Sequence, residues 1–119
     1  MPHAVIAGAV DLAAFARDWT PLVVRRGADV LRADELYFER GGRALLIEAL
    51  CVEVGRKQPF YVRISAHDRG SATVRIDPMT HPERSDGVRA LVREIAARLL
   101  AATPGARIEK TNLGLSGSH

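Results

Sequence analysis

Cysteine is nearly absent from this 119-residue chain, where Cys51 stands alone. One thiol can neither close an internal disulfide nor build a zinc knuckle, so neither kind of staple holds the fold. Aromatic residues make up only 5% of the chain, which leaves little material for a base-stacking platform. No apolar run reaches membrane-spanning length, and no positively charged segment precedes an apolar run near Met1. No run of five basic residues occurs, which argues against a nucleic-acid-binding tail. The histidines His3, His67, His81 and His119 lack metal-ligand spacing. A phosphate-cradling glycine loop and a dinucleotide fingerprint are missing too. Ser85-Asp86-Gly87 and Ser116-Gly117-Ser118 lack the setting of a nucleophile elbow. These absences anticipate a protein with no metal or cofactor and no membrane partner, in a reducing, bacterial-type cytoplasm.

What remains is ordinary for a globular protein: 47% hydrophobic and 26% charged residues, enough for one domain with its own core. Net charge is +3, and fifteen of the seventeen basic residues are arginine. Arginine and alanine are enriched together in high-GC genomes. Arginine also forks onto phosphate or carboxylate, so an anionic partner is the functional alternative.

The pattern predicts an α+β domain over residues 1–113, with a flexible tail at 114–119. "HAVIAG" (His3 to Gly8) reads as a strand. Asp11 then caps a helix carrying Leu12, Phe15, Trp19, Leu22 and Val23 at helical spacing, interrupted by Pro21 and stopped by Gly27. A four-strand antiparallel meander follows: "LRADELYFER", "RALLIEALCVEV", "PFYVRISAH" and "SATVRID". "RALLIEAL" also fits a helix. Strand is preferred for the β-branched Val52 and Val54 and the hairpin signals on both sides, including Gly41-Gly42. Thr80 and Glu83 read as a capping box for a long C-terminal helix with the stripe Val88, Leu91, Val92, Ile95, Leu99 and Leu100. "TPG" ends it, and "ARIEKTNL" is a candidate final strand.

Register in the last hairpin carries the main functional expectation. Phe60, Val62, Ile64 and Ala66 must share a face with Ala72, Val74 and Ile76, since a one-residue slip would flip every side chain. A three-residue loop, Asp68-Arg69-Gly70, meets that demand and sets Arg63 across from Arg75, Tyr61 across from Asp77 and Ser65 across from Thr73. Facing arginines repel by about a few tenths to 1 kcal/mol. They are tolerated where the face is wet and Asp77 or Glu53 relieves them, or where an anion sits between the two forks. In that second case Tyr61, Ser65 and His67 supply further donors, and the five residues form the candidate ligand site.

The strand before this hairpin is apolar on both faces. Leu45 and Ile47, paired with Phe38 and Leu36, oppose Leu46, Leu50, Val52 and Val54. A sheet with one wet face does not need this. Either the first helix or a second copy of the chain is expected to cover the outer face, which makes a homodimer a candidate. Glu48 interrupts the outer apolar row, so it either reaches water or is desolvated with a raised pKa, as a general acid or base. Cys51, in an apolar strand, reads as a buried structural thiol.

The opening Met-Pro-His and the strand behind it resemble the start of the 5-carboxymethyl-2-hydroxymuconate isomerases of the tautomerase superfamily. The resemblance spans the first quarter of the chain and implies that Met1 is removed and Pro2 acts as a base. The hairpin from Phe60 to Asp77 departs from that family's strand-helix-strand repeat. Three functions therefore stand at this point. The first is a non-catalytic binding protein for an anionic small molecule or a protein partner. The others are a tautomerase using Pro2 and a single-stranded nucleic-acid binding module.

Overall fold

A computed structural model describes residues 1–114. The tail expected at 114–119 therefore lies, from residue 115 on, outside the described residues. The elements are β1 (His3–Ala7), α1 (Leu12–Asp18), β2 (Leu22–Arg26), β3 (Asp29–Phe38), β4 (Ala44–Glu53), β5 (Arg56–Ala66), β6 (Ala72–Ile76), α2 (Asp86–Ala102) and β7 (Arg107–Thr111). The strands form one antiparallel sheet in the order β2-β3-β4-β5-β6-β1-β7, an open half-barrel with both helices on its inner face.

The central meander follows from hairpin chemistry. Gly55 has φ +76° and closes the two-residue turn between Glu53 and Arg56. Gly70, at φ +84°, occupies the left-handed position of the Asp68–Gly70 loop, where His67 N–H donates to the Ser71 carbonyl at 2.8 Å. Leu36 pairs with Ile47 and Phe38 with Leu45, as expected. Their connection is longer than a two-residue Gly41-Gly42 turn, because Glu39 N–H already pairs with the Ala44 carbonyl and leaves residues 40–43 to make the bend. Residues 44–53 are strand throughout.

Two expectations fail. Leu22 and Val23 are not helical; they open β2, which makes the meander five strands long. Trp19 ends α1 in extended backbone, Pro21 follows, and Gly27 at φ +59° turns β2 back onto β3 instead of stopping a helix. The apolar spacing was shared by two elements whose buried side chains reach one core. The Thr80/Glu83 capping box is also absent. Ser85 caps α2 by accepting from Val88 N–H, while Thr80 Oγ donates to the Asp77 carbonyl and Glu83 pairs with Arg56.

All the fully buried large side chains lie on the inner face or on α2. Leu31, Leu45, Ile47, Val62, Ile64 and Val74 meet Val88, Leu91, Val92, Ile95 and Leu99. Helix α2 packs on β3, β4, β6 and β1, and α1 packs on β3 and β4 beside it. Trp19 Nε1 donates to the Asp34 carbonyl at 2.8 Å, and the Arg98 guanidinium lies 5.2 Å from the Trp19 ring centre. The first helix therefore does not cover the outer face.

The start of α2 is fixed by β4. Glu53 accepts from Ser85 Oγ at 2.6 Å and from Gly87 N–H at 3.1 Å, putting a carboxylate at the helix N-terminus. These bonds hold the Glu53 carboxyl below its ordinary pKa of 4.5. Glu53 therefore points inward and cannot relieve Arg63 and Arg75. A side chain on Gly87 would bring its Cβ within 2.5 Å of Cys51 Sγ and 2.9 Å of the Glu53 carboxylate.

Two outcomes follow. Gly87→Ala is expected to lose about 1–3 kcal/mol in urea unfolding, the ordinary cost of overpacking. Cys51→Ala, which removes the nearest clashing atom, should return part of that loss in a double-mutant cycle. Because Glu53 has a depressed pKa in the folded state, its contribution is present above pH 4.5 and lost as pH falls through the lower folded value. Glu53→Gln should flatten that acid limb of the stability–pH curve. An unchanged limb would show that the cap contributes nothing.

Candidate functional site

The outer face is built by the residues that alternate with the core. Across its middle runs one row through five strands: Tyr37 of β3, Leu46 of β4, Arg63 of β5, Arg75 of β6 and His3 of β1. The Arg63–Arg75 pairing expected from the hairpin is thus present, and β1 adds His3, which the sequence pattern had not joined to it. The next row holds Ser65, Thr73 and Val5, with Lys110 of β7 beyond. On the other side lie Glu48 and Tyr61, and Asp77 N–H donates to the Tyr61 carbonyl at 2.8 Å.

Local bonds shape this cluster without neutralising it. Arg63 Nε donates to Ser65 Oγ at 3.1 Å, and His67 Nε2 lies 2.6 Å from Thr73 Oγ1. Among the described residues, neither Arg63 nor Arg75 is in an ion pair; Asp68 and Glu48 have other partners, and Asp77 is buried. Asp68 at the turn pairs with Arg43 at 3.0 Å. Asp77 is 7% exposed, and its carbonyl accepts from Thr80 N–H. Glu48 accepts from the Tyr37 hydroxyl at 3.1 Å, which raises the pKa of that phenol. Glu48 thus stands on the outer face at a tyrosine, not in an apolar enclosure.

Two shallow hollows flank the row. One, of about 260 Å³, is lined by Tyr37, Phe38, Glu39, Leu46 and Arg63 among others, and the Glu39 carboxylate accepts from Arg43 N–H at 3.3 Å. The second, about 430 Å³, is lined by Asp34, Glu48, Leu50, Pro59, Tyr61 and Thr80. A larger hollow of about 540 Å³ lies away from the row, between α1 and the end of α2. Its polar groups are already engaged: Asp11 caps α1 through Ala14 N–H, Asp18 pairs with Arg17, and Arg98 donates to Thr20. Size favours that hollow, but unpartnered charge favours the outer face, and charge is what selects a ligand.

The remaining candidates fall elsewhere. Cys51 is buried on the inner face, and burial, then the Glu53 carboxylate, push its thiol up to about 11. Pro2 is buried ahead of β1, outside all three hollows, and the Met1 carbonyl accepts from Asn112 Nδ2 at 2.7 Å. The β1 and β2 strands around α1 are not neighbours, and every pairing among the described residues is antiparallel, so no strand-helix-strand unit like the tautomerase repeat forms among them. Among the described residues, no cluster of His, Cys, Asp or Glu could hold a metal ion, and no helix is long and apolar enough to cross a membrane. No family model, curated protein or solved structure matches the chain.

The repulsion itself is measurable. Arg75→Glu turns a like-charge cross-strand pair into an opposite-charge one, so it is expected to raise stability by about 0.5–1 kcal/mol in low salt. The gain should shrink as salt screens this half-exposed pair. Urea unfolding at two ionic strengths checks this. A salt-independent loss would mean that Arg75 contributes packing, not repulsion.

Proposed function

We propose that this protein is a non-catalytic binding protein that holds an anionic group on its outer sheet face, between Arg63 and Arg75. The observation behind this is the uncompensated pair itself. Two half-buried guanidinium groups stand on adjacent strands with no carboxylate partner among the described residues, in one row with His3. An anion between them would replace a repulsive contact with two charge-assisted ones, and Ser65, Thr73 and His67 lie within the same patch to add donors. The groups that would serve catalysis are otherwise engaged. The Cys51 thiol is buried and predominantly protonated at neutral pH, Glu48 is held by Tyr37, and Pro2 is enclosed.

The test is thermal unfolding of the native chain and of the Arg63→Gln/Arg75→Gln double variant. Both are titrated with phosphate or sulfate against chloride of equal ionic strength. A ligand that binds only the native state raises the unfolding temperature as it accumulates. The native chain is expected to respond and the double variant not to. Equal rises in both would remove these arginines from the site.

A further inference from the structure

The row that carries the two arginines ends on a histidine, the side-chain type whose charge changes near neutral pH. His3 of β1 stands directly across from Arg75 of β6, as Arg75 does from Arg63 of β5, so three basic side chains lie in line over three adjacent strands. Directly opposed residues sit about 5 Å apart, so the line is about 10 Å long, short enough for two arginines and an imidazole to converge on one small ligand. All three are half-buried, and among the described residues none of them is in an ion pair.

The carboxylates Asp34, Glu35, Glu39 and Glu48 belong to β3, β4 or the turn between them, on the far side of Arg63 from His3. Around His3 the charged neighbours are different. From β6 come Arg75 and the buried Asp77. From β7 comes Asn112, whose Oδ1 accepts from His3 N–H at 2.9 Å, with Lys110 opposite Val5 and Glu109 at the register shift next to it. Arg89 of α2 donates to the Asn112 carbonyl, and the Met1 amino group lies two residues before His3.

One hydrogen bond decides which nitrogen of the ring titrates. His3 Nδ1 lies 2.9 Å from the Met1 carbonyl oxygen. A carbonyl only accepts, so Nδ1 carries the hydrogen and the neutral ring presents Nε2 as a lone pair. A lone pair repels an anion; protonation turns the same atom into a charged donor. His67, in the same patch, already has its Nε2 at Thr73 Oγ1, 2.6 Å away.

We propose that His3 is a pH-gated third ligand of the anion site: neutral, it leaves the anion to Arg63 and Arg75, and protonated, it completes a three-donor site for a tetrahedral oxyanion of the sulfate or phosphate type. This rests on the anion reading above and adds its regulation and its ligand class. With His3 charged, three positive groups face the ligand. That favours a dianion over a monocarboxylate, and a tetrahedral group offers each donor its own oxygen.

The experiment is titration of the native chain with sodium sulfate at constant ionic strength, at about pH 5.5 and about pH 8, the range over which histidine changes charge. It is followed by NMR of the histidine rings and the arginine Nε–H groups. Sulfate keeps both charges across that range, so a pH dependence belongs to the protein. Affinity is expected to be about tenfold tighter at the lower pH, the effect of one added charge-assisted hydrogen bond. By linkage, saturating sulfate should move the midpoint of the His3 titration up by about one pH unit. His3→Asn should lose the pH dependence and keep the weaker binding that the arginines give. Phenyl phosphate at the lower pH tells an ester from the free ion. Tighter binding than sulfate, weakened by His3→Asn, assigns the site to an ester; weaker binding assigns it to the free ion. A His3 titration that sulfate does not move overturns the proposal, as does a pH dependence that survives in His3→Asn and disappears in His67→Asn. Acetate that binds as tightly as sulfate at the lower pH overturns the ligand class. Sulfate binding that is equal at both pH values but lost in Arg63→Gln/Arg75→Gln leaves the anion site standing and removes the gate. A double variant that binds like the native chain removes the anion reading, and the gate with it. The titration of the native chain needs no substitution, so a variant that fails to fold does not hide the outcome.

Discussion

The whole molecule depends on which face of β4 meets α2. Leu45, Ile47, Ala49 and Cys51 turn inward and are buried under the helix. Period-2 alternation then sends Leu46, Glu48, Leu50 and Val52 outward, and the pairings on either side carry that choice across the sheet. Placing Val62 and Ile64 inside puts Tyr61, Arg63 and Ser65 outside. Placing Val74 inside puts Thr73 and Arg75 outside, and Ala4 and Ile6 do the same for His3 and Val5. The outer row of cations is thus a consequence of core packing. No separate element positions it.

The contact between β4 and the start of α2 holds this arrangement in place. The ends of β4 and α2 are tied by the Glu53 carboxylate, which satisfies Ser85 and one orphan amide of the first helical turn. Gly87 lets the helix approach the strand closely over Cys51. The single cysteine is accounted for by this packing: a small apolar side chain under a helix, with its thiol kept protonated by burial. Strand alternation puts Glu53 on the inner face with Cys51, at the far end of β4 from the Leu46–Arg63 pair, so its carboxylate serves the helix and not the arginines.

Much of this was legible in the sequence where local chemistry and long-range packing agreed. The β5–β6 register could be read because a glycine loop and two alternating runs admit only one alignment that keeps Val62, Ile64 and Val74 together. The two-faced character of residues 44–53 was legible for the same reason. Residues 22–26 were misread because Leu12, Phe15, Trp19 and Leu22 fit a helical stripe, yet the stripe is shared by a short helix and a strand that meet the same core. The start of α2 was misread because Thr80 and Glu83 have the spacing of a cap but are engaged by Asp77, Tyr61 and Arg56 instead. Arg63, Arg75, Tyr61 and Ser65 were found on one face. His3 was not, because β1 reaches β6 across sixty-odd residues of intervening sheet and helix, and no local signal reports that pairing.

The outer face combines two features that each work against a solvated sheet: facing arginines weaken the β5–β6 pairing, and exposed aliphatic side chains invite association. Together they restrain one another. Arg63 and Arg75 oppose any stacking that sets them against their own copies, while Leu46 and Leu50 would gain from being covered. At the sheet edge, Arg25 and Arg26 on β2 oppose strand addition in the way charged edge residues do in other sheets. The repulsion costs the hairpin little because both arginines are half-exposed, so core packing on the inner face fixes the register in spite of it.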